Sequence, residues 1–347
     1  MITFNKTFKY SLLLIVVLIL LIIVAASIGS ANLSVKDTAI IIGSYIPGIN
    51  YFINTDEMSP QNVIIISQIR LPRIFVAIFV GIALASAGVI YQGIFRNPMA
   101  DPYIIGVSAG AAFGATIGLL FATGIRWANI SSTSIFAFIG AIGTTFLVYN
   151  ISRVRGKTSV VTLLLSGVAL SALLGSINSF ILIFQARDLA KVIFWLMGGL
   201  TSASWQQFFT ISPIVIILLA ISSYYMKDLN LISLGDERAS QLGVHIDMVK
   251  IILLVLASLM AAAAVSVSGI IGFVGLITPH ILRIIVGPDH KILYPTSAIA
   301  GGVVLLMSDT IARTILSPRE IPVGIITSII GVPFFLYLLI RSKKQIF

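Results

Sequence analysis

The chain has 347 residues, of which 58% are hydrophobic and 10% charged, with a mean hydropathy of +1.08. No water-soluble domain carries that composition on its surface, so the sequence reads as an all-α polytopic membrane protein. Cysteine is absent, which excludes disulfide frameworks and thiolate metal sites, and His245, His280 and His290 match no metal-ligand spacing and read as loop or helix-end residues.

Lys6 and Lys9 precede the apolar run from Ser11 to Ile28, which is too long for a signal-peptide core and predicts an uncleaved first span. From Gly29 to Gln68 the chain is only weakly hydrophobic and holds Pro47, Asp56, Glu57 and Pro60, so it is placed outside the lipid, partly as a short amphipathic segment. The second span, Ile74 to Ile90, carries no charge. Arg70, Pro72 and Arg73 stand at one end of it, and a polar turn from Arg96 to Pro102 closes the other, where two prolines lack the backbone donor a helix needs. The next helix carries Gly106, Gly110, Gly114 and Gly118, a four-residue ladder that lets another backbone come close.

Further spans are predicted at Tyr103–Thr123, Ser134–Ile151, Val160–Phe184, Phe208–Met226, Val249–Val267, Gly272–Val286, Thr296–Ile315 and Ile321–Ile340, which makes about ten transmembrane helices in one domain over residues 1–347. Counted by alternate loops from the amino terminus, 14 lysines and arginines fall on one side and 8 on the other. Positive charge collects inside, so both termini are expected in the cytoplasm and Arg70, Arg73 and Arg313 outside. Topology thus accounts for the net charge of +10 without nucleic acid. An echo between Gly88–Pro98 and Gly269–Pro279 suggests a weak repeat, which five helices per half would invert.

Between the sixth and seventh spans, Lys227 to Lys250 forms a long cytoplasmic connection broken at Gly235 and Gly243. It predicts two short helices outside the lipid, with Asp236 and Glu237 in the first turn of the second, and suits a docking surface better than a bare connector. Gly156-Lys157-Thr158 is no P-loop, because Ile151 stands where its first glycine belongs and a span precedes it. Asp309, a carboxylate deep in a span, is either a proton-coupling site or the structural partner of Arg313 one turn on. Asn178 and Gln185 either line a polar path or bond across helices.

Several motifs stand out together: Arg70-Leu71-Pro72-Arg73, Gln92-Gly93 with Asn97 to Pro102, Gly106 to Gly110, Trp195 to Gly199, Leu234-Gly235-Asp236 with Ala239 to Gly243, Gly272 to Leu276 with Pro279-His280 and Arg283, and Ile321 to Gly324. This set resembles the permease subunits of ABC importers for iron-siderophores, haem and cobalamin, the FecCD or BtuC-like family. The resemblance runs from about Gln68 to Lys344. It implies ten helices per subunit, a second permease subunit, identical or homologous, two ATPase subunits that bind the ATP, and an extracytoplasmic substrate-binding protein, all at a bacterial cell membrane. It implies no cofactor on the chain itself.

By the same resemblance, Arg70, Arg73 and Arg313 receive acidic residues of the binding protein. Asn97 and Met99 form a cytoplasmic gate, with Ser159 near a second gate position. Leu234, Gly235, Asp236, Glu237, Ala239, Gln241, Leu242 and Gly243 couple to the ATPases. Arginine suits docking because its planar fork pairs with carboxylates through two bonds. The expected function is a non-catalytic permease for an iron-siderophore, with haem or cobalamin as alternative cargo and an ion-coupled secondary transporter as the alternative class.

Overall fold

A computed structural model describes residues 2–29, 33–45, 48, 58–122, 126–127, 130–154, 157–158, 160–184 and 189–343. Long apolar runs become helices because, in lipid, a backbone must satisfy its own hydrogen bonds. They are α1 (Ile2–Ser27), α2 (Val35–Ser44), α3 (Pro60–Ile64), α4 (Leu71–Phe95), α5 (Val107–Phe121), α6 (Ser132–Ser152), α7 (Val160–Phe184) and α8 (Leu189–Leu196). The second half adds α9 (Trp205–Tyr224), α10 (Met226–Ser233), α11 (Asp236–Gln241), α12 (Ile246–Ser268), α13 (Val274–Val286), α14 (His290–Thr314) and α15 (Val323–Lys343). Among the described residues eight helical stretches are long and apolar enough to cross a bilayer, and the shorter apolar α5 and α13 bring the number to the ten expected.

Starts are set by side chains that accept from free backbone donors: Ser34 for α2, Ser131 for α6, Ser204 for α9 and Asp289 for α14. Two starts differ from the sequence expectation. The helix bearing Arg70 begins at Pro60, and α3 runs through a π turn at Ile65–Arg70 into α4 without a break, 36 residues in all. Pro72 has no donor and its ring would press on the carbonyl four residues back, a conflict that the wider π turn relieves. The third expected span begins as a 3-10 turn at Pro102–Ile105, and α5 starts only after Gly106, whose φ of 86° favours glycine. His280, expected in a loop or at a helix end, lies inside α13.

Helices α4, α12 and α14 form the buried centre. Small residues set their spacing: a Cβ on Gly81 would overlap the carbonyl of Gly301 on α14, and one on Gly88 would overlap the carbonyl of Gly275 on α13. The two echoing segments therefore pack against each other. The ladder Gly110, Gly114 and Gly118 lies against α6, where each added Cβ would meet backbone or Thr144, so tight packing is the ladder's role. By contrast α7 packs little within the chain, and Val161, Leu165, Val168, Phe180 and Ile183 on it are all more than 60% exposed.

Candidate docking, gate and coupling sites

At the expected outer end the π turn, the first turn of α4 and the last turn of α14 carry Arg70, Arg73 and Arg313 into one cluster. Two of the three are not surface cations. Arg70, 5% exposed, donates from Nη1 to the carbonyls of Ala26 at 2.6 Å and Ser27 at 3.0 Å, and Arg313, 6% exposed, donates to that of Ala25. These are orphan carbonyls of the last turn of α1, where a cation also meets the negative end of the helix dipole. The guanidinium lies close over Gly29, where a Cβ would come within 2.7 Å of Nη2 of Arg70.

Arg73 is held by two carboxylates. Its Nε donates to both oxygens of Asp309 at 3.1 and 3.0 Å and its Nη2 to Oδ1 at 2.9 Å, while Nη1 donates to both oxygens of Glu320 at 3.0 and 2.8 Å. Asp309 is wholly buried, and this fork supplies both of its oxygens with hydrogen bonds. Arg313 Nε stands 3.9 Å from Asp309, a weaker neighbour than the i,i+4 spacing suggested. A cavity of about 150 Å³ opens beside Arg70, Arg313 and Pro318, and a second of about 410 Å³ is lined by Ser131, Ser202, Gln207 and Ser268. Arg73 and Glu320 border both.

At the other end, α4 stops in a Schellman motif: Asn97 N–H reaches the Gln92 carbonyl at 3.2 Å, Arg96 N–H reaches that of Gly93 at 3.3 Å, and Arg96 takes φ 49°. Asn97 then turns the chain by accepting from Met99 N at 2.9 Å. Its side chain is exposed and Met99 is half-buried, so both lie on a break at the bundle's edge, whereas Ser159 lies outside the described residues. Asp101 accepts from Tyr103 N at 2.8 Å, and burial of its carboxyl pushes the pKa up to about 6. Gln92, buried, donates to the Leu276 carbonyl at 3.0 Å and accepts from Arg283 at 3.2 Å, tying α4 to α13 just before the break.

The connection forms two short helices, α10 and α11, as its glycines predicted, with Gly235 at φ 117° and Gly243 at φ 86°. Ala239 is buried against the bundle, while Leu234, Glu237, Gln241, Leu242 and Gly243 face outward. Asp236 pairs with Arg96 at the end of α4 and with Lys250 of α12 at 2.8 Å. Asn230 of α10 donates to Asp289 at 2.7 Å and accepts from His290 N at 2.8 Å, which ties the connection to α14. Among the described residues no group of three or more His, Asp or Glu could hold a metal ion.

The profile of the FecCD transport family matches residues 16–341. The chain belongs to that family. As a FecCD member it is a multi-pass ABC importer permease, and the secondary-transporter reading is set aside; the carboxylate on which that reading rested is the buried partner of Arg73. The permease is 46% identical to the cobalamin import system permease protein BtuC of Halobacterium salinarum over 80% of this chain and 73% of that one. It is 40% identical to the hemin transport system permease protein HmuU of Yersinia pestis over 80% and 84%. Its fold matches a chain of a metal-chelate type ABC transporter in an inward-facing conformation, at 32% identity and a TM-score of 0.82 over 96% of this chain and 99% of that one.

Sequence reasoning missed two members of these sites, Glu320 and Arg96, and one pairing. Glu320 lies in a loop between Pro318 and Pro322 and Arg96 opens a polar turn, so neither carried a local signal. Arg73 and Asp309 are 236 residues apart, a pairing no spacing rule reveals.

Proposed function

We propose that the permease is the non-catalytic membrane subunit of an ATP-driven importer for an iron chelate of the siderophore type. It works with a second permease subunit, two ATPase subunits that hydrolyse the ATP, and an extracytoplasmic binding protein. Both termini are cytoplasmic, so the arginine end meets the binding protein and α10–α11 rests on an ATPase. The observation that carries this reading is the tie from Asp236 to Arg96 and Lys250. It gives a docked ATPase a handle on the end of α4, next to the Asn97–Met99 turn that we assign as the gate. A helix break at the lipid edge can move there without exposing unpaired backbone to hydrocarbon.

The metal-chelate and hemin descriptions of two relatives support an iron chelate, while the 46% identity to a cobalamin permease supports cobalamin as a second reading. Uptake by the complex purified from its native membrane, with a radiolabelled ferric siderophore and labelled cobalamin in parallel, separates the two. Coupling is tested by the double variant Asp236→Lys, Glu237→Lys. It should lose ATP-dependent uptake while still inserting and binding the partner protein outside; normal transport by this variant would overturn the coupling assignment.

A further inference from the structure

Arg73 has two kinds of partner. Asp309 is wholly buried on α14 and takes two of its three nitrogens, Nε and Nη2. Glu320 takes the third, Nη1, from the segment between α14 and α15, and its side chain is 35% exposed. The first pair cannot be opened cheaply, because it would leave two charges stranded away from water. The second can, since a partly exposed ion pair is worth about 1 kcal/mol or less.

The surroundings favour an exchange there. Among the described residues three guanidinium groups face two carboxylates, Asp309 and Glu320, an excess of positive charge in that set. The cavity of about 150 Å³ bordered by Arg70, Arg73, Arg313 and Glu320 has room for a side-chain carboxylate, given that a water occupies about 30 Å³ of liquid. Nη1 also needs an acceptor whether or not a partner is bound, because a largely buried donor without one is costly.

From this geometry we propose that Glu320 is a stand-in carboxylate. It occupies Arg73 in the free permease and is displaced, oxygen for oxygen, by an acidic side chain of the docking protein. The proposal rests on the docking reading above and adds to it a competitor inside the chain. Arg73 is then the arginine that meets the partner, while Arg70 and Arg313 hold α1 and supply field. Because one carboxylate replaces another, the exchange leaves Arg73 fully bonded in both states and needs no movement of α4 or α14.

The test measures docking of the binding protein that copurifies with the intact transporter, using the transporter in lipid nanodiscs at low and high salt. Two substitutions separate contact from field. Glu320→Gln removes the charge; Glu320→Asp keeps it but draws the carboxylate back by one methylene. Displacement predicts that both tighten docking by about threefold to fivefold, the equivalent of releasing a pair worth up to about 1 kcal/mol. Tightening by Glu320→Gln alone would show a field effect and overturn the proposal, as would no change in either. Weakening in both would make Glu320 part of the docking surface, which overturns it too. Arg73→Glu distinguishes the underlying reading: if docking ignores that change and ignores salt, the docking role itself falls. If Arg73→Glu weakens docking while the Glu320 variants are silent, only the displacement fails. Size-exclusion profiles of the reconstituted complex confirm that each variant is assembled.

Discussion

The two ends of the bundle both carry ion networks, and they are built to opposite rules. At the arginine end, Asp309 is 0% exposed and Arg73 11%, whereas at the connection end Arg96 is 39% exposed and Asp236 49%. Coulomb attraction across a few ångströms differs several-fold between those surroundings, because water screens the second network and hardly reaches the first. The buried network fixes three helices relative to one another. The exposed one links the same scaffold to two short helices at little cost when it is made or broken. A transporter needs both, a frame that does not give and a contact that does.

Breaking the buried side should give the largest effect. Asp309→Ala leaves Nε and Nη2 of Arg73 without an acceptor in a buried site and should cost about 3–5 kcal/mol, seen as a lowered unfolding midpoint of the purified complex. Adding Arg73→Leu should recover much of that loss, and a double variant no better than the single would contradict the pairing. Uptake by the surviving Asp309→Asn protein should also be indifferent to a protonophore at constant ATP. Next in size, Arg70→Met removes two charged hydrogen bonds to the end of α1 and should cost about 1.5–3 kcal/mol, with increased proteolysis near Ser27 as the readout.

Asp101, at the softer end, sharpens the contrast through pH. Its folded pKa of about 6 lies above the ordinary 3.8, so the fold prefers the protonated acid. The stability it contributes is present below about pH 3.8 and is lost as pH rises through about 6. Asp101→Asn should therefore flatten the fall in stability between pH 5 and pH 7 by about 1 kcal/mol or more; an unchanged pH slope would refute the assignment. The smallest effect belongs to Arg96→Gln, which should move stability by less than about 1 kcal/mol because its pair is exposed. Its uptake per ATP should nevertheless fall, and an unaltered ratio would deny the exposed network any part in coupling.

The sequence made most of the bundle legible because lipid imposes one rule on every span, and apolar runs such as Val160–Phe184 obey it in full. The glycine ladder and the connection were readable for the same reason: spacing on a single helix is a local quantity. What escaped was long-range. Arg70 and Arg313 read as outward cations because they end helices. Their capping of α1 depends on where Ala25 and Ser27 arrive from far upstream in the chain. The π turn escaped because hydropathy does not report the phase of a helix, and Glu320 because loop residues carry no periodicity.

That π turn has a consequence for comparing related chains. Six residues from Ile65 to Arg70 close wider loops of backbone than an α-helix would, as though one residue had been slipped into the coil. Everything before it is thereby rotated about the helix axis by roughly 100°, the turn that one α-helical residue makes. Removing a single residue here would leave the length of α4 untouched and swing α3 to a new bearing, carrying Val63 away from the cluster of Ile41, Ile66 and Leu71. A one-residue gap in an alignment at this point would then mark a rotated approach to the mouth of the transporter rather than a shortened helix, and chains that share every downstream motif could still present different faces to whatever lands there.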